Sequence, residues 1–475
     1  MHDEPHFRLD VANLLDGLQV LSFAGTEAIS QLFAFELEVL IDDPELDLHG
    51  LMYRAVFLHF MGRTLGIHGQ IHGAERSHFR PGPACYRLSI GPRLACLGQR
   101  YNPRIFQGMT TPQIISRVLL EHGIRDDSYR FDLKTECPVR GYCAQYRETD
   151  LQLVQRLCSE EGIHYHFRHS PHGHELIFGD GLRGFRPTPT ASYSGMPMQD
   201  GVGRFSVGIA GADRSQQVAT GESTLPFVAA GHLLPLKGHP DDAFNHLWLV
   251  TAVKHRGFDP RQLGARRSND AALYINHFQA TPWEIVFKPE RVARPSMPDI
   301  QRACIVGSAD EPVARDSAGR VKARLDWGDQ GNGALYGECW LPVAPHLVET
   351  LRGGMQVMVS CVDEDPECPL ITARLPQSGD TPTNAVPRAP QVKRIDANLP
   401  VQQFIGDEQR IQLNGGPRIS YEDGSSWSVS VGDSSIKLDA NGLKLVSPRI
   451  LFSAASESPD DSSDAARAVV DARDQ

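Results

Sequence analysis

Residues Asp407–Phe452 read DEQRIQLNGGPRISYEDGSSWSVSVGDSSIKLDANGLKLVSPRILF, and the fold turns on this stretch. The sequences NGG, EDGSS, GDSS and DANG are turn-formers, and they cut it into strands of four to six residues. Apolar side chains recur at period two: Ile411 and Leu413, then Trp427, Val429 and Val431, then Ile436 and Leu438, then Leu443 and Leu445, with Ile450 beyond. There is no helix to cover this face, and there are too few strands for a sandwich. So few apolar side chains cannot offset the conformational entropy of ordering the segment alone. Several identical chains wound in parallel around a shared axis would bury every stripe and add interchain hydrogen bonds. The spacing therefore predicts a stiff needle over 401–453, with those ten residues as its core. Charged pairs such as Lys437 and Asp439 form its solvated outer face.

The whole chain is long enough for about three domains. Its 475 residues carry 43 glycines and 33 prolines, which favours many turns and short strands, so the expected class is mainly β. A net charge of −11 excludes a phosphate-tracking nucleic-acid binder. The start, MHDEPHFRLDVANLL, is acidic and has no apolar core, and no run of about 18 apolar residues follows, so neither a signal peptide nor a membrane span is readable. The nine cysteines contain no C-x-x-C pair, which argues against a disulfide framework or zinc ribbon. Cys158 reads as a buried small hydrophobe.

Two stretches have a helical period. In TTPQIISRVLLEHGI, Thr111 is the expected cap, Pro112 suits the first turn, and Gly123 ends the helix. In ETDLQLVQRLCSEEGIHYHF, Thr149 and Gln152 form a capping box. There Leu151, Val154 and Leu157 or Cys158 face inward, and Gly162 stops the helix. Alternating patterns at 32–41, 175–180 and 273–280 read as strands. Proline-containing breaks divide the chain into a base (1–295), a middle block (296–378), a linker (379–400), the needle (401–453) and an acidic tail (454–475) expected to be disordered or to dock a partner. The middle block has the length and strand count of an OB-type barrel. Its Trp327, Tyr336 and Trp340 read as packing residues, and it offers few basic residues beyond Arg320, Lys322 and Arg324.

The window GIHYHFRHSPHGHE (162–175) holds His164, His166, His169, His172 and His174. A hairpin reversing at Ser170–Gly173 would bring two histidine pairs within cross-strand reach, so a zinc site is geometrically open. No cysteine joins them, however, and the helix-borne His-Glu-x-x-His pattern of zinc hydrolases is missing. The other enzymatic candidate, GDSS at Gly432–Ser435, lacks a nucleophile elbow around Ser434, and no histidine follows His346.

Four motifs together resemble the VgrG family of type VI secretion spikes: YNPRIFQGMTTPQIISRVL (101–119), RGYCAQYRETDLQLVQRLCSEEGIHYHFRH (140–169), DSAGRVKARLDW (316–327) with Cys339 and Trp340, and EDPECPLITARL (364–375). The resemblance implies barrel-like domains related to phage tail hubs, then an OB domain, then a triple-stranded β-helix, assembled as a homotrimer. It implies no enzyme, cofactor or metal, the histidine window included. The implied partners are the tube of Hcp rings, a PAAR-type tip protein, effectors or adaptor chaperones and, transiently, the target membrane. Such a protein is assembled in the bacterial cytoplasm and exported by the type VI apparatus without a signal peptide. Two departures are visible. HLVETLRGGMQVMV (346–359) stands where the family has a longer loop, and the short needle is followed by the acidic tail, with no length for an effector domain. A contractile phage or bacteriocin tail spike would share the same architecture.

Overall fold

The structure is a computed structural model of the chain. It describes residues 6–14, 17–41, 47–61, 65–77, 84–196, 199–210, 216–259, 273–295, 300–309, 311–327, 338–361 and 365–375, and beyond these only the backbone of eight strands between 401 and 471. The chain divides into two units, Met1–Gly379 and Asp380–Gln475.

The first unit begins with six strands: β1 (Phe7–Val11), β2 (Leu18–Ala28), β3 (Ala34–Ile41), β4 (Ala55–Phe60), β5 (Gly66–Ser77) and β6 (Ala84–Gly91). They pair in the order β1-β4-β5-β6-β3-β2, and β2 returns to β1 through Leu18 and Gln19, so the six strands close into a barrel. Closure removes the free edges. Alternation fills the interior: Phe7, Leu9 and Val11 point in from β1, and Phe35, Leu37, Val39 and Ile41 from β3. Gly25 leaves room for the Phe35 ring, which a Cβ there would meet at 2.1 Å.

Between this barrel and the next lies an insert that carries both helices. It comprises β7 (Arg104–Phe106), β8 (Met109–Thr110), α1 (Thr111–Glu121), β9 (Tyr129–Asp132), β10 (Val139–Arg140), β11 (Cys143–Gln145), α2 (Asp150–Glu161), β12 (His164–Ser170) and β13 (Gly173–Gly179). The cap of α1 is Thr110, not Thr111, because Gln113 stands three positions after Thr110 and the two close a capping box. Thr111 is buried at the first helical position. For α2 the Thr149–Gln152 box forms as expected, and Gly162 takes a left-handed conformation at φ 68°. Its inward face is corrected: Leu153 is buried with Val154, Leu157 and Cys158, and Leu151 is only half-buried.

A second ring follows: β14 (Arg186–Pro187), β15 (Ala191–Ser192), β16 (Val202–Ala210), β17 (Gln216–Ser223), β18 (His232–Lys237), β19 (Leu247–Phe258) and β20 (Tyr274–Pro282). The path β16-β17-β20-β19-β18-β15 closes through a bridge between Tyr193 and Val202. Phe205, Trp248 and Phe278 fill it. Pairing of β19 with β2 from Ala252↔Ala28 to Phe258↔Ser22 fuses the two rings into one sheet system.

The middle block contributes β21 (Ile300–Ile305), β22 (Val321–Leu325), β23 (Glu338–Leu341), β24 (Gln356–Cys361) and β25 (Pro369–Arg374). The sheet runs β23-β22-β21-β24-β25, and a parallel bridge from Val343 to Ile371 joins its two ends. This is the five-stranded OB strand order.

In the second unit, β26 (Val401–Ile405), β27 (Glu408–Gln412), β28 (Arg418–Glu422), β29 (Ser426–Val431), β30 (Ser434–Asp439) and β31 (Gly442–Val446) form one antiparallel meander, and β32 (Arg449–Phe452) pairs with β33 (Ala468–Asp471). The register sets Ile411 opposite Ile419, Ile419 opposite Val429, Val429 opposite Ile436, and Ile436 opposite Leu445. Trp427, Leu438 and Leu443 are likewise consecutive partners. Leu413 and the linker 379–400 lie outside the described residues.

Candidate functional site

The five histidines of the 162–175 window are carried on the expected hairpin, but its register is not that of two facing pairs. His169 pairs with His174 across the strands, Ser170 with Gly173, and His172 sits in the two-residue turn. His164 and His166 share the other face with Arg168, where His164 stacks on Phe185 at 4.2 Å. The Nδ1 atoms of His68, from β5, and His174 lie 3.0 Å apart. Burial lowers three of these rings below the ordinary 6.5, His164 and His169 to about 4 and His174 to about 3. They are neutral at neutral pH. No group of three or more His, Cys, Asp or Glu among the described residues converges as metal ligands. Of the serine candidate, Ser434 begins β30 opposite Val431, and Gly432 and Asp433 lie outside the described residues.

The described polar chemistry concentrates instead where the base meets the OB barrel. Arg156 of α2 is 1 % exposed. Its Nε and Nη2 donate to the two carboxylate oxygens of Glu148 at 3.0 and 2.7 Å, its Nη1 reaches Glu160 at 3.1 Å and Glu367 at 3.3 Å, and its Nη2 also donates to the Ala144 carbonyl. Arg140 of β10 donates to Glu160 and Glu161, each at 2.7 Å. From the segment that leads into the OB block, Arg294 donates to Glu160 at 2.7 Å and Asp365 at 2.9 Å. Glu367 and Asp365 belong to the turn before β25, so three arginines and five carboxylates bind α2 to the barrel. Burial alone would raise Glu160, but Arg294, Arg156 and Arg140 hold its carboxyl below its ordinary 4.5.

A second cluster braces the other end of α2. Asp150 is fully buried and accepts from Arg104, Gln145 and His122 at 2.9, 2.8 and 2.7 Å. These contacts overcome the cost of burial and keep its carboxyl below 3.8. The apolar part of the joint is continuous with the barrel interior, because Ile105, Ala144 and Tyr146 of the base belong to the same core as Val321, Leu341 and Val357. Tyr146 meets Trp327 edge-on with centroids 5.3 Å apart. Gln107 completes a two-way bridge: its Oε1 accepts from the Trp340 amide at 2.8 Å, and its Nε2 donates to the Trp340 carbonyl at 2.9 Å. Of the barrel's basic residues, Arg320 pairs with Asp316, and Lys322 and Arg324 both pair with Glu338.

The sequence reading missed Arg140, Arg156, Arg294 and their partners as a site. The available signal was that Arg156 falls on the apolar stripe of α2, beside Leu153 and Leu157, where a charge requires a buried partner. Of the ten needle positions, nine lie on the strands of the second unit, and Leu413 lies outside the described residues.

Most of these joint residues fall within the motifs 101–119, 140–169 and 364–375. A profile of the phage tail baseplate hub family (GPD) matches residues 26–206. The type VI secretion system spike protein VgrG4b of Pseudomonas aeruginosa is 35 % identical over 451 residues, covering 78 % of this chain and 56 % of its own length. VgrG5 of the same organism is 35 % identical over 454 residues, covering 78 % of this chain and 58 % of its own length. The chain thus spans a little over half the length of these curated relatives. Among solved structures, the Escherichia coli c3393 protein, described as a component of the type VI secretion system with structural similarity to T4 bacteriophage tail proteins gp27 and gp5, superposes with a TM-score of 0.66. It is 24 % identical, and the match covers 77 % of this chain and 99 % of that one. With its mainly β hub fold, its OB strand order and its similarity to spike proteins along most of its length, the chain belongs to the VgrG family of type VI secretion system spike proteins.

Proposed function

We propose that this chain is the spike and hub subunit of a type VI apparatus, acting mechanically and without a catalytic site. Three copies form a trimer at the end of the Hcp tube, with the 401–453 needle wound around the threefold axis. A PAAR-type protein caps its point, effectors or their adaptor chaperones ride on it, and the assembly leaves the cytoplasm through the apparatus to breach a target membrane. The observation that carries this reading is the register of the second unit. In that register Ile411, Ile419, Val429, Ile436 and Leu445 are consecutive cross-strand partners, as are Arg410, Ser420, Ser428, Lys437 and Lys444, so apolar and polar residues are sorted into separate rows of the pairing. A thin sheet with one apolar face must bury it, and three copies closing on a common axis do so symmetrically. The joint supports the same reading, since a spike must pass thrust from base to barrel without a hinge.

Light scattering on the full chain is expected to give a trimer mass. Replacing Val429 and Val431 together with Asp is expected to leave the first unit folded and abolish the trimer and any SDS resistance. An unchanged trimer mass would sink this placement of the needle core, and a well-folded monomer of the wild-type chain would sink the trimer. A second reading, the spike of a contractile phage or bacteriocin tail, is favoured by the phage hub profile. Sheath and tube genes nearby, with or without capsid genes, decide between the two.

A further inference from the structure

Among the described residues, eight buried side-chain nitrogens lack a hydrogen-bond partner, and seven belong to the sheet β12-β13-β9: Arg130 Nε, His164 Nδ1, both ring nitrogens of His166, Arg168 Nε and Nη1, and His169 Nε2. Orphaned buried polar atoms are costly and uncommon, and their concentration on one small sheet calls for a physical account. The arginine nitrogens are obligate donors. The His169 Nδ1 lies 3.1 Å from the His68 carbonyl and 3.2 Å from the His68 amide, and in the tautomer that accepts from the amide the ring proton sits on Nε2. His164 Nδ1, on a ring that donates from Nε2 to the Gly181 carbonyl, and one nitrogen of His166 therefore lack donors, whereas the three arginine nitrogens lack acceptors.

The carboxylates nearby do not supply them. Glu175, opposite Arg168 in the register, faces Arg130 Nη1 at 3.4 Å. Glu27 accepts from the Ala230 amide at 2.9 Å and faces His255 at 3.3 Å, and it stands 3.9 Å from His169 Nε2, beyond hydrogen-bond reach. Asp127 accepts from Ser128. Arg168 spends its Nη2 on the Gly184 carbonyl. Burial, and next to it the charges of Arg186 and Arg130, pull the Arg168 guanidinium down to about 10. Arg168, Arg186, His169 and His232 line one cavity of about 730 Å³ whose apolar wall includes Phe227 and Val228. That volume falls within the range of small-molecule sites.

We propose that this cavity binds a small polyvalent oxyanion, of the phosphate or dicarboxylate class, whose oxygens accept from Arg168 and His169 Nε2 under the field of Arg186. Charge-assisted bonds from a planar guanidinium suit both classes. The cavity walls come from the first barrel (Gly66, Ile67), the hairpin (Arg168, His169) and the second ring (Phe227, His232), so an occupant ties the three together and stabilises the folded base.

The test is calorimetric titration of the full chain with inorganic phosphate and, separately, with malonate, alongside thermal unfolding. Saturable binding of at least one anion, with a melting temperature that rises with its concentration, is expected. The anion that binds identifies the head group. Arg168→Gln is expected to weaken binding at least tenfold. Arg183→Gln, which removes a 58 % exposed charge nearby that lies 3.6 Å from Asp132, is expected to change it less than twofold. If Arg168→Gln fails to fold, His169→Phe carries the same expectation of weakened binding. Absence of saturable binding by either anion to the folded wild-type chain overturns the proposal, as does equal weakening by Arg168→Gln and Arg183→Gln.

Discussion

Arg156 and Arg168 stand twelve residues apart on consecutive elements, and they meet opposite fates. Every nitrogen of Arg156 has an acceptor within 3.3 Å, drawn from Glu148, Glu160, Glu367 and a backbone carbonyl. Arg168 has one carbonyl and leaves Nε and Nη1 unmet. The first environment is complete within the chain, and the second is not. A buried charge whose partners are all internal fixes geometry, and here it fixes the angle between base and barrel. A half-buried guanidinium with two nitrogens unmet is the place where the proposed anion would supply acceptors.

The sharpest way to break this contrast is to remove Arg156. Arg156→Ala strands Glu148 and loosens Glu160 and Glu367, and the expected cost is about 3–5 kcal/mol in chemical denaturation. The double variant Arg156→Met with Glu148→Leu is expected to recover most of that loss, because apolar replacement of a whole buried pair is close to neutral. If Arg156→Ala costs less than about 1 kcal/mol, the joint does not bind the domains as described.

Acid provides a test of intermediate size that addresses both environments at once. His164, His169 and His174 have folded pKa values below 6.5, so the unfolded chain binds protons more readily, and stability falls as pH drops from 6.5 toward about 3–4. Glu160 and Asp150 are depressed carboxylates, so their contribution is present above 4.5 and 3.8 and is lost as pH falls through their lower folded values. Denaturation midpoints are expected to decline in two stages, a histidine stage beginning near 6.5 and a carboxylate stage below about 4.5. His169→Phe is expected to reduce the first stage and leave the second unchanged, His164 and His174 supplying the remainder. A flat profile between 6.5 and 4.5 would show that the hairpin histidines titrate normally.

The smallest expected effect concerns the amide bridge. Gln107→Ala leaves the Trp340 amide and carbonyl without their side-chain partner at the edge of the joint, and a loss of about 1–3 kcal/mol follows if those groups stay dry. Hydrogen exchange at the Trp340 amide is expected to quicken, with the amides of β1 to β6 unaffected. Protection unchanged at Trp340 would place water, not Gln107, as its effective partner.

Local features were legible in the sequence because local physics sets them. The Thr149–Gln152 box, the left-handed Gly162, the alternation of β3 and β20 and the hairpin at 164–179 each depend on residues a few positions apart. The cap of α1 was misplaced by one residue because two adjacent threonines offered the same side chain, and only the position of Gln113 chose between them. The mainly β class, the OB strand count and the absence of a helix-borne zinc pattern followed from composition and spacing alone.

Tertiary structure decided the rest. That β1 pairs with β4, Phe7 opposite Phe60, within a closed barrel, that Ile105, Ala144 and Tyr146 of the base complete the core of a barrel some 200 residues later, and that Glu367 reaches Arg156 across the joint are contacts between distant segments. Side-chain pattern states which face of an element must be covered, but not by what. The covering partner is selected by how whole strands and helices pack, and the same selection left Arg156 satisfied and Arg168 open.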